Sequence, residues 1–285
     1  MASTPTRRKR RLGQFLYELR KRAGKNEQDF TSLTRKSQAT LSRIESGRTL
    51  PGWTMLGAML TFYGATAEER REGESLWIEA QQDSKRMEHA GVYNPKARGF
   101  IRGESDASAE RTVAPLVIPG VLQTLEYALA LYVAAHRFVT QPSTDRVVAA
   151  HAARSQLLQG PNALSLHALL DEACIRRVVG GPKVMAAQLR YLPKLGAQPN
   201  VDLQLIPFEA GAYGTMSGSI ILGYEDDQDP DAVYLEITGG GVWVENEVDV
   251  RKYTSSFTDI AEKAALPPDR TAEVISEQAA NLEKT

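Results

Sequence analysis

A chain of 285 residues is long enough for two domains and a sizeable buried core. Its 42% hydrophobic and 24% charged residues are ordinary for a globular protein, and no apolar run approaches a membrane span, which argues against a membrane protein. The basic N-terminus is not followed by the apolar segment of a secretory signal. The single cysteine, Cys174, cannot form an intramolecular disulfide, so a cytoplasmic location is expected.

The formal net charge of −1 hides a division. Up to Arg48 there are thirteen Lys/Arg against Glu18, Glu27, Asp29 and Glu45, an excess of nine positive charges. The remaining residues carry an excess of ten negative ones. A basic head on an acidic body is the charge footprint of a regulator whose one end meets phosphate.

Residues 1–11 end in the run Arg7–Arg11 and are expected to form a basic arm lying along DNA. Leu12, Leu16, Leu19 and Ala23 then recur at helical spacing, and Gly24 ends that run. A second short helix is expected from about Asn26, with Phe30 and Leu33 on its inner side. A third begins at Ser37, a good N-cap, in SQATLSRIESGR (residues 37–48). There Leu41 and Ile44 give one apolar ridge, and Gln38, Ala39, Thr40, Ser42 and Arg43 fall on the other faces. Gly47 supplies a left-handed stop and Pro51 forbids continuation. Three helices so arranged, the last carrying exposed polar residues, describe a helix-turn-helix.

Residues 12–63 resemble the xenobiotic-response-element type of helix-turn-helix found in many phage and bacterial repressors. The resemblance rests on LxxLR–AG at 16–24, SQATLSRIESGR and the Leu-Pro that follows. The chain departs from the pattern where Glu27 replaces a Gln that begins helix 2 and touches phosphate. Thr34 and Arg35 replace the usual Leu-Gly of the turn, and Lys36 replaces an apolar residue. The resemblance implies base reading by Gln38, Ala39, Thr40 and Arg43. Phosphate contacts are expected from Arg8 and Arg10 of the basic arm and from Asn26, Arg35, Lys36, Ser42 and Arg48. The resemblance also implies an ion pair between Arg20, late in helix 1, and Glu45, late in helix 3. Arg43 has a second reading, a surface salt bridge with Glu27 or Asp29.

Beyond Pro51, Met55, Leu56, Met59, Leu60 and Tyr63 form a helical core stripe, and a charged helix follows from Ala67 to about Met87, burying Leu76, Trp77 and Ala80. The head therefore spans residues 12–88, and the Gly/Pro/Ser-rich stretch 89–112 reads as a linker. In the body, residues 113–285, Pro119-Gly120 interrupts an apolar extended run. A helix with Val121, Leu125, Ala128, Leu129 and Tyr132 follows, and Ser143 caps another. Strands are expected at 165–170 and in the runs starting at 201, 217, 232 and 241. Helices are expected from Pro182 to near Gly196, at about 247–264, and at 270–283 with Asp269 as cap. The fold class is α+β overall: an all-α helix-turn-helix bundle followed by a mixed α/β domain with a sheet of about five strands.

The body is similar to a large domain of actinobacterial regulators called WhiJ-like or antitoxin-like. The similarity lies in VIPGVLQTLEYA, LLDEACIRRVVGGPKVMAAQL, PNVDLQLIPFEAG and AVYLEI. It implies repression of nearby promoters and a small partner protein encoded next door, and it supplies no catalytic residues.

Nothing in the residues favours an enzyme. His89, His136, His151 and His167 are scattered without ligand spacing, and no activating pattern surrounds Cys174, which reads as a buried small hydrophobe. No metal site and no cofactor are expected. The loop GAYGTMSG (211–218) leads into a strand and lacks the Lys-Ser/Thr of a phosphate loop, so it is read as a loop near a binding cleft. EDDQDPD (225–231) lacks the glycine and final glutamate of a calcium loop and is read as a solvated hairpin loop. Thr238–Glu245 is read as a tight hairpin.

The expected function is sequence-specific DNA-binding regulation, most simply repression, by a homodimer on a palindromic operator of double-stranded DNA, without catalysis. The protein would be nucleoid-associated when DNA-bound. Control would come through the body from a small partner protein. The alternatives are an antitoxin-like protein that mainly sequesters its partner, and a repressor that senses a small-molecule ligand between the sheet and the helix after Pro119-Gly120.

Overall fold

The computed structural model describes residues 7–82, 98–135, 144–214, 216–224, 231–237 and 240–284. The chain divides into two units, Met1–Glu88 and His89–Thr285.

In the first unit the apolar spacing of residues 12–19 makes a longer helix than the sequence implies. Helix α1 runs from Arg7 to Arg22, so Arg7–Arg11 is its first turn and a half rather than an arm. Lys9 is buried, and Arg8, Arg10 and Arg11 are half-buried and already engaged within the protein. Helices α2 (Glu27–Thr34), α3 (Gln38–Glu45), α4 (Trp53–Phe62) and α5 (Ala67–Gln82) follow. Leu12, Leu16, Leu19, Phe30, Leu41, Ile44, Leu56, Met59, Leu60, Tyr63 and Leu76 form one core. Leu33, expected inside, is exposed at the end of α2. The expected helix end at Met87 lies outside the described residues.

In the second unit six strands form one mixed sheet in the order β3-β2-β1-β4-β5-β6. They are β1 (Ala109–Ala114), β2 (Ser165–Asp171), β3 (Val201–Ile206), β4 (Ser219–Gly223), β5 (Ala232–Ile237) and β6 (Gly240–Val244). Strands β1, β2 and β3 are parallel, while β4, β5 and β6 are antiparallel to their neighbours. The expected sheet of about five strands lacks β1, and the expected linker at 89–112 holds most of that strand as well as helix α6 (Arg98–Asp106). With Glu110, Arg111 and Thr112 in six residues, β1 has too little apolar character to read as a strand. It is nevertheless central, and Glu110 and Thr112 are both buried.

Among the described residues the unit also holds the α-helices α7 (Leu125–Ala135), α8 (Thr144–Ser155), α9 (Glu172–Arg176), α10 (Pro182–Gly196), α11 (Glu247–Lys263) and α12 (Pro268–Glu283). One sheet face carries Leu166, Ala168, Leu170, Leu203 and Leu205 into a core with Met185, Leu189, Ile275 and Ala279 of α10 and α12. The other carries Val113, Leu169, Ile206, Ile221 and Val233 against Val250, Phe257 and Ile260 of α11. In α7 the fully buried residue is Tyr127, whose hydroxyl accepts from the Ile118 N–H at 3.4 Å, while the expected stripe positions Leu125, Ala128, Leu129 and Tyr132 are half-buried. Helix α12 starts one residue before Asp269, on Pro268, with Pro267 as N-cap. Ser143, Thr238 and Gly239, and residues 225–230, lie outside the described residues.

A buried ionic centre explains the Pro119-Gly120 motif. Arg154 Nε donates to Glu104 Oε2 at 2.8 Å, and its Nη2 donates to the other oxygen. The same guanidinium lies against Gly120, where a Cβ would come within 1.9 Å of Nη1, so a larger residue would have to push Arg154 away from Glu104. Glu110 of β1 completes the group. It is only 1% exposed, and its Oε2 has no hydrogen-bond partner. Burial, and then the charge of Glu104, push its carboxyl up to about 8 against the lowering effect of Arg154.

Cys174 is buried with its Sγ donating to the Ala114 carbonyl at 3.0 Å, and burial raises its thiol to about 12, which leaves it an inert thiol. His151 Nε2 meets the Gln123 carbonyl at 2.8 Å and His167 Nε2 meets Gln204 Oε1 at 2.7 Å. His89 and His136 lie outside the described residues.

Candidate nucleic-acid interface

Helix α3 is eight residues long and would not persist alone, so its apolar ridge must be held. Leu41 and Ile44 are each 1% exposed in the core, which fixes the roll of the helix. With that roll, Gln38, Ala39, Ser42 and Arg43 are exposed and Thr40 is half-exposed. Ser37 stands at the N-cap with extended backbone, but its Oγ lies 3.1 Å from Thr40 Oγ1 instead of capping an N–H. Arg43 Nη2 donates to Thr40 Oγ1 at 3.3 Å. Among the described residues no ion pair joins Arg43 to Glu27 or Asp29.

Two glycines let α1 and α3 touch. A Cβ on Gly13 would come within 2.5 Å of the Glu45 carbonyl oxygen. One on Gly47, at φ +67°, would come within 2.6 Å of the Arg10 backbone nitrogen. Gly47 is thus the left-handed stop after α3 and also a contact point that admits no side chain. Arg48 beyond it is exposed.

Between the same helices Arg20 Nε and Nη2 donate to Glu45 Oε1 and Oε2 at 2.6 and 2.8 Å, and Arg20 Nη1 donates to the Lys25 carbonyl at 3.0 Å. The side chains are 6% and 12% exposed, so this is a bidentate, largely desolvated pair. It fixes the end of α3 against the end of α1. Nearby, burial first and the Glu45 charge second push the Tyr63 phenol up to about 12.

The turn before α3 departs from the helix-turn-helix pattern it resembles in a way the backbone explains. Arg35 takes a left-handed conformation, φ 54° and ψ 27°, at the C-cap of α2, where its N–H donates to the Thr31 carbonyl at 2.9 Å. That is the shape glycine supplies at this point in the pattern, and here an arginine adopts it under strain. Arg35→Gly is expected to stabilise the first unit by about 1 kcal/mol, the steric relief being partly offset by the freer unfolded glycine. The same change should weaken DNA binding if Arg35 holds phosphate. Melting curves and fluorescence-anisotropy titrations on one preparation separate the effects, and a fall in both would refute the strain.

The remaining phosphate candidates divide by partner. Asn26 caps α2: its Oδ1 accepts from the N–H groups of Gln28 and Asp29 at 2.8 and 3.0 Å, and Asp29 returns a bond to the Asn26 N–H. Lys36 and Ser42 are exposed. A polar cleft of about 510 Å³ runs between α1, α2 and α3, and Lys21, Lys25, Asn26 and Ser42 all line it. Lys21 and Lys25 bring positive charge to this cleft, which Glu27 and Glu45 also line, and their ammonium groups lie over the rings of Tyr17 and Phe62. Arg22 points elsewhere, into a bidentate pair with Glu69 that holds that carboxyl down at about 2.

An exposed polar helix face held by a buried ridge, beside a polar cleft, defines a helix-turn-helix DNA-binding regulator, and residues 11–73 match the family model of a helix-turn-helix domain. Residues 97–277, more than half of the chain, match the model of a domain of unknown function (DUF5753), and the chain belongs to that family. A search of curated proteins finds no match, and a search of solved structures finds none either. Among the described residues no helix is long and apolar enough to cross a membrane.

Proposed function

We propose that this protein is a transcriptional repressor that binds a palindromic operator as a homodimer and acts by binding alone, without catalysis. The observation that carries the reading is α3. Its Leu41 and Ile44 are locked in the core, while Gln38, Ala39 and Arg43 stand exposed, with Arg35, Lys36 and Arg48 exposed around them. Gln38 at the helix start suits adenine through paired N6 and N7 contacts, and Arg43 suits guanine through O6 and N7. Ala39 can pack on a thymine methyl. Arg48, past the Gly47 stop, holds phosphate and carries no sequence information. One eight-residue helix reads few base pairs, so two copies about 34 Å apart are needed for a selective site.

Control is assigned to the second unit, and a small protein partner encoded nearby, as in WhiJ-like regulators of actinobacteria, is the effector. The negative balance of residues 49–285 and the exposed Leu116, Val117, Phe208 and Val242 support a protein-binding role. A protein of this kind works in the cytoplasm, on the nucleoid.

Selection of binding sites from a random duplex library tests the reading. Arg43→Ala is expected to relax one guanine position at a cost of roughly 1–3 kcal/mol, whereas Arg48→Ala weakens all sites alike. A selected motif unchanged by Arg43→Ala would move base reading away from α3.

A further inference from the structure

The second unit contains a cavity that DNA binding does not use. It measures about 370 Å³ and lies between α11 and the sheet, where β1 ends beside the start of β4. Its location follows from topology. The connections β1 to β2 to β3 progress to one side of β1, and β4 returns on the other side. The chain therefore switches direction at β1, and crevices at the carboxyl ends of parallel strands at such a point are where open α/β sheets bind ligands. The small-molecule alternative considered above placed a pocket by the helix after Pro119-Gly120. This cavity lies against the opposite sheet face, where α11 packs.

The lining has the make-up of a ligand site. Val113, Tyr213, Phe257 and Ile260 give a dry apolar floor, each less than 8% exposed. Helix α11 contributes one continuous stripe to the wall, at positions 249, 252, 253, 256, 257 and 260. The loop GAYGTMSG supplies the other wall through Tyr213, Met216 and Ser217. Tyr213 is held there by donating to Asp171 Oδ2 at 2.6 Å. In the same loop Gly214, at φ +44°, presses against Ile260 and Ser256, and Met216 keeps a left-handed φ of 53° while remaining 54% exposed at the rim. A strained non-glycine residue beside a cavity is a feature of binding loops.

The polar groups define the chemistry. Among the described residues the side chains of Ser219, Tyr253 and Ser256 have no hydrogen-bond partner, so three hydroxyls are free to meet a ligand. Among the described residues the charges in the lining are Asp249 and Lys252, exposed at the mouth and paired with each other at 2.8 Å. A charged ligand would have to leave water without an unpaired counter-ion to meet it, whereas a neutral one pays no such penalty. The volume sits at the lower end of the range for small-molecule sites, about 300–1,000 Å³.

We infer that this cavity binds an uncharged, largely apolar small molecule carrying one or two hydrogen-bonding groups for Ser219, Tyr253 and Ser256. Nothing in the site depends on residues 7–82, so it stands or falls apart from the DNA-reading proposal.

The test uses the full chain and the neutral fluorophore N-phenyl-1-naphthylamine, whose N–H can donate to a serine hydroxyl. Saturable fluorescence enhancement at micromolar probe is expected, at least tenfold tighter than for its anionic relative 8-anilinonaphthalene-1-sulfonate. Ser256→Phe and Ser219→Phe fill the cavity and should each weaken binding at least tenfold, while Val178→Ala, exposed and outside the lining, leaves it unchanged. Hydrogen exchange on the unmutated protein keeps the test independent of how the variants fold, since probe should protect 213–219 and 249–260. The proposal is overturned by absence of saturable binding, by a preference for the anion, by protection confined to other segments, or by folded phenylalanine variants that bind as before.

Discussion

Glu45→Ala is expected to destabilise the helix-turn-helix unit by about 3 kcal/mol, which for a unit of this size lowers its melting temperature by roughly 10–20 °C. The cause is the guanidinium left behind. Arg20 is 6% exposed and gives two of its hydrogen bonds to Glu45, keeping only the one to the Lys25 carbonyl when the carboxylate is removed. A buried charge stripped of its counter-ion costs more than the pair itself contributes, because desolvation is no longer offset. The figure sits at the low end of the range for buried pairs since Glu45 retains 12% exposure and water can partly replace it. Glu18→Ala is the matched control. Glu18 lies on the exposed side of α1, where its carboxylate accepts from Gln14 Nε2 at 2.7 Å, and its removal should change stability by less than about 0.5 kcal/mol. Thermal melting of the full chain followed at Trp53 and Trp77 reads the difference, and coincident curves for the two variants would refute a structural role for the pair. DNA affinity measured below both transitions should also fall for Glu45→Ala, since the pair anchors the end of α3.

The second large effect concerns pH and Glu110. Its carboxyl in the folded protein is pushed up to about 8, from an ordinary value of 4.5 in the unfolded chain. Between those two values the native state holds a proton that the unfolded chain has released. This group's contribution to stability is therefore complete below about pH 4.5 and is lost as pH rises through 8. The slope for one such group is about 1.4 kcal/mol per pH unit. Glu110→Gln keeps the shape and removes the titration. Relative to the unmutated chain, its advantage should widen by on the order of 3 kcal/mol from pH 5.5 to pH 8, or roughly 5–10 °C in the melting temperature of the second unit. Parallel melting-temperature profiles for the two proteins across that interval would show that Glu110 does not titrate in the folded state. The Glu104–Arg154 pair beside it is kept in this comparison, so the difference isolates the one carboxyl.

Much of the first unit was legible in the sequence because short-range chemistry dictates it. Apolar spacing placed Leu12, Leu16 and Leu19 in the core, the ridge of Leu41 and Ile44 set the roll of α3, and Gly47 ended it with a positive φ. The same reasoning misjudged Arg7–Arg11. The run was expected to lie as an arm along DNA, yet α1 carries it into the packed unit because the Arg10 backbone lies on the bare α-carbon of Gly47. Leu33 erred in the opposite direction, apolar by type and exposed in place. The left-handed turn of Arg35 was visible only as a departure from a family pattern, since no local signal tells an arginine to adopt that backbone.

In the second unit the sequence by itself determined the amphipathic helices other than α6 and the strands β2 to β6, whose side-chain periods are set within a few residues. It also marked GAYGTMSG as a loop near a binding cleft, and Tyr213, Met216 and Ser217 of that loop do line a cavity. Only the tertiary structure decided that AERTVA is the central strand. A strand is recognised in sequence by alternating apolar residues, whereas Glu110 is accommodated there by groups distant in the chain, with Glu104 six residues before it and Arg154 forty-four after it. The cavity against α11 was hidden for the same reason. Its floor and walls come from β1, β4, β6, α11 and the 211–218 loop, and only the strand order brings them together. Local periodicity selects helices and strands, but which faces meet, and which polar residues those faces can bury, is settled by packing across the whole sheet.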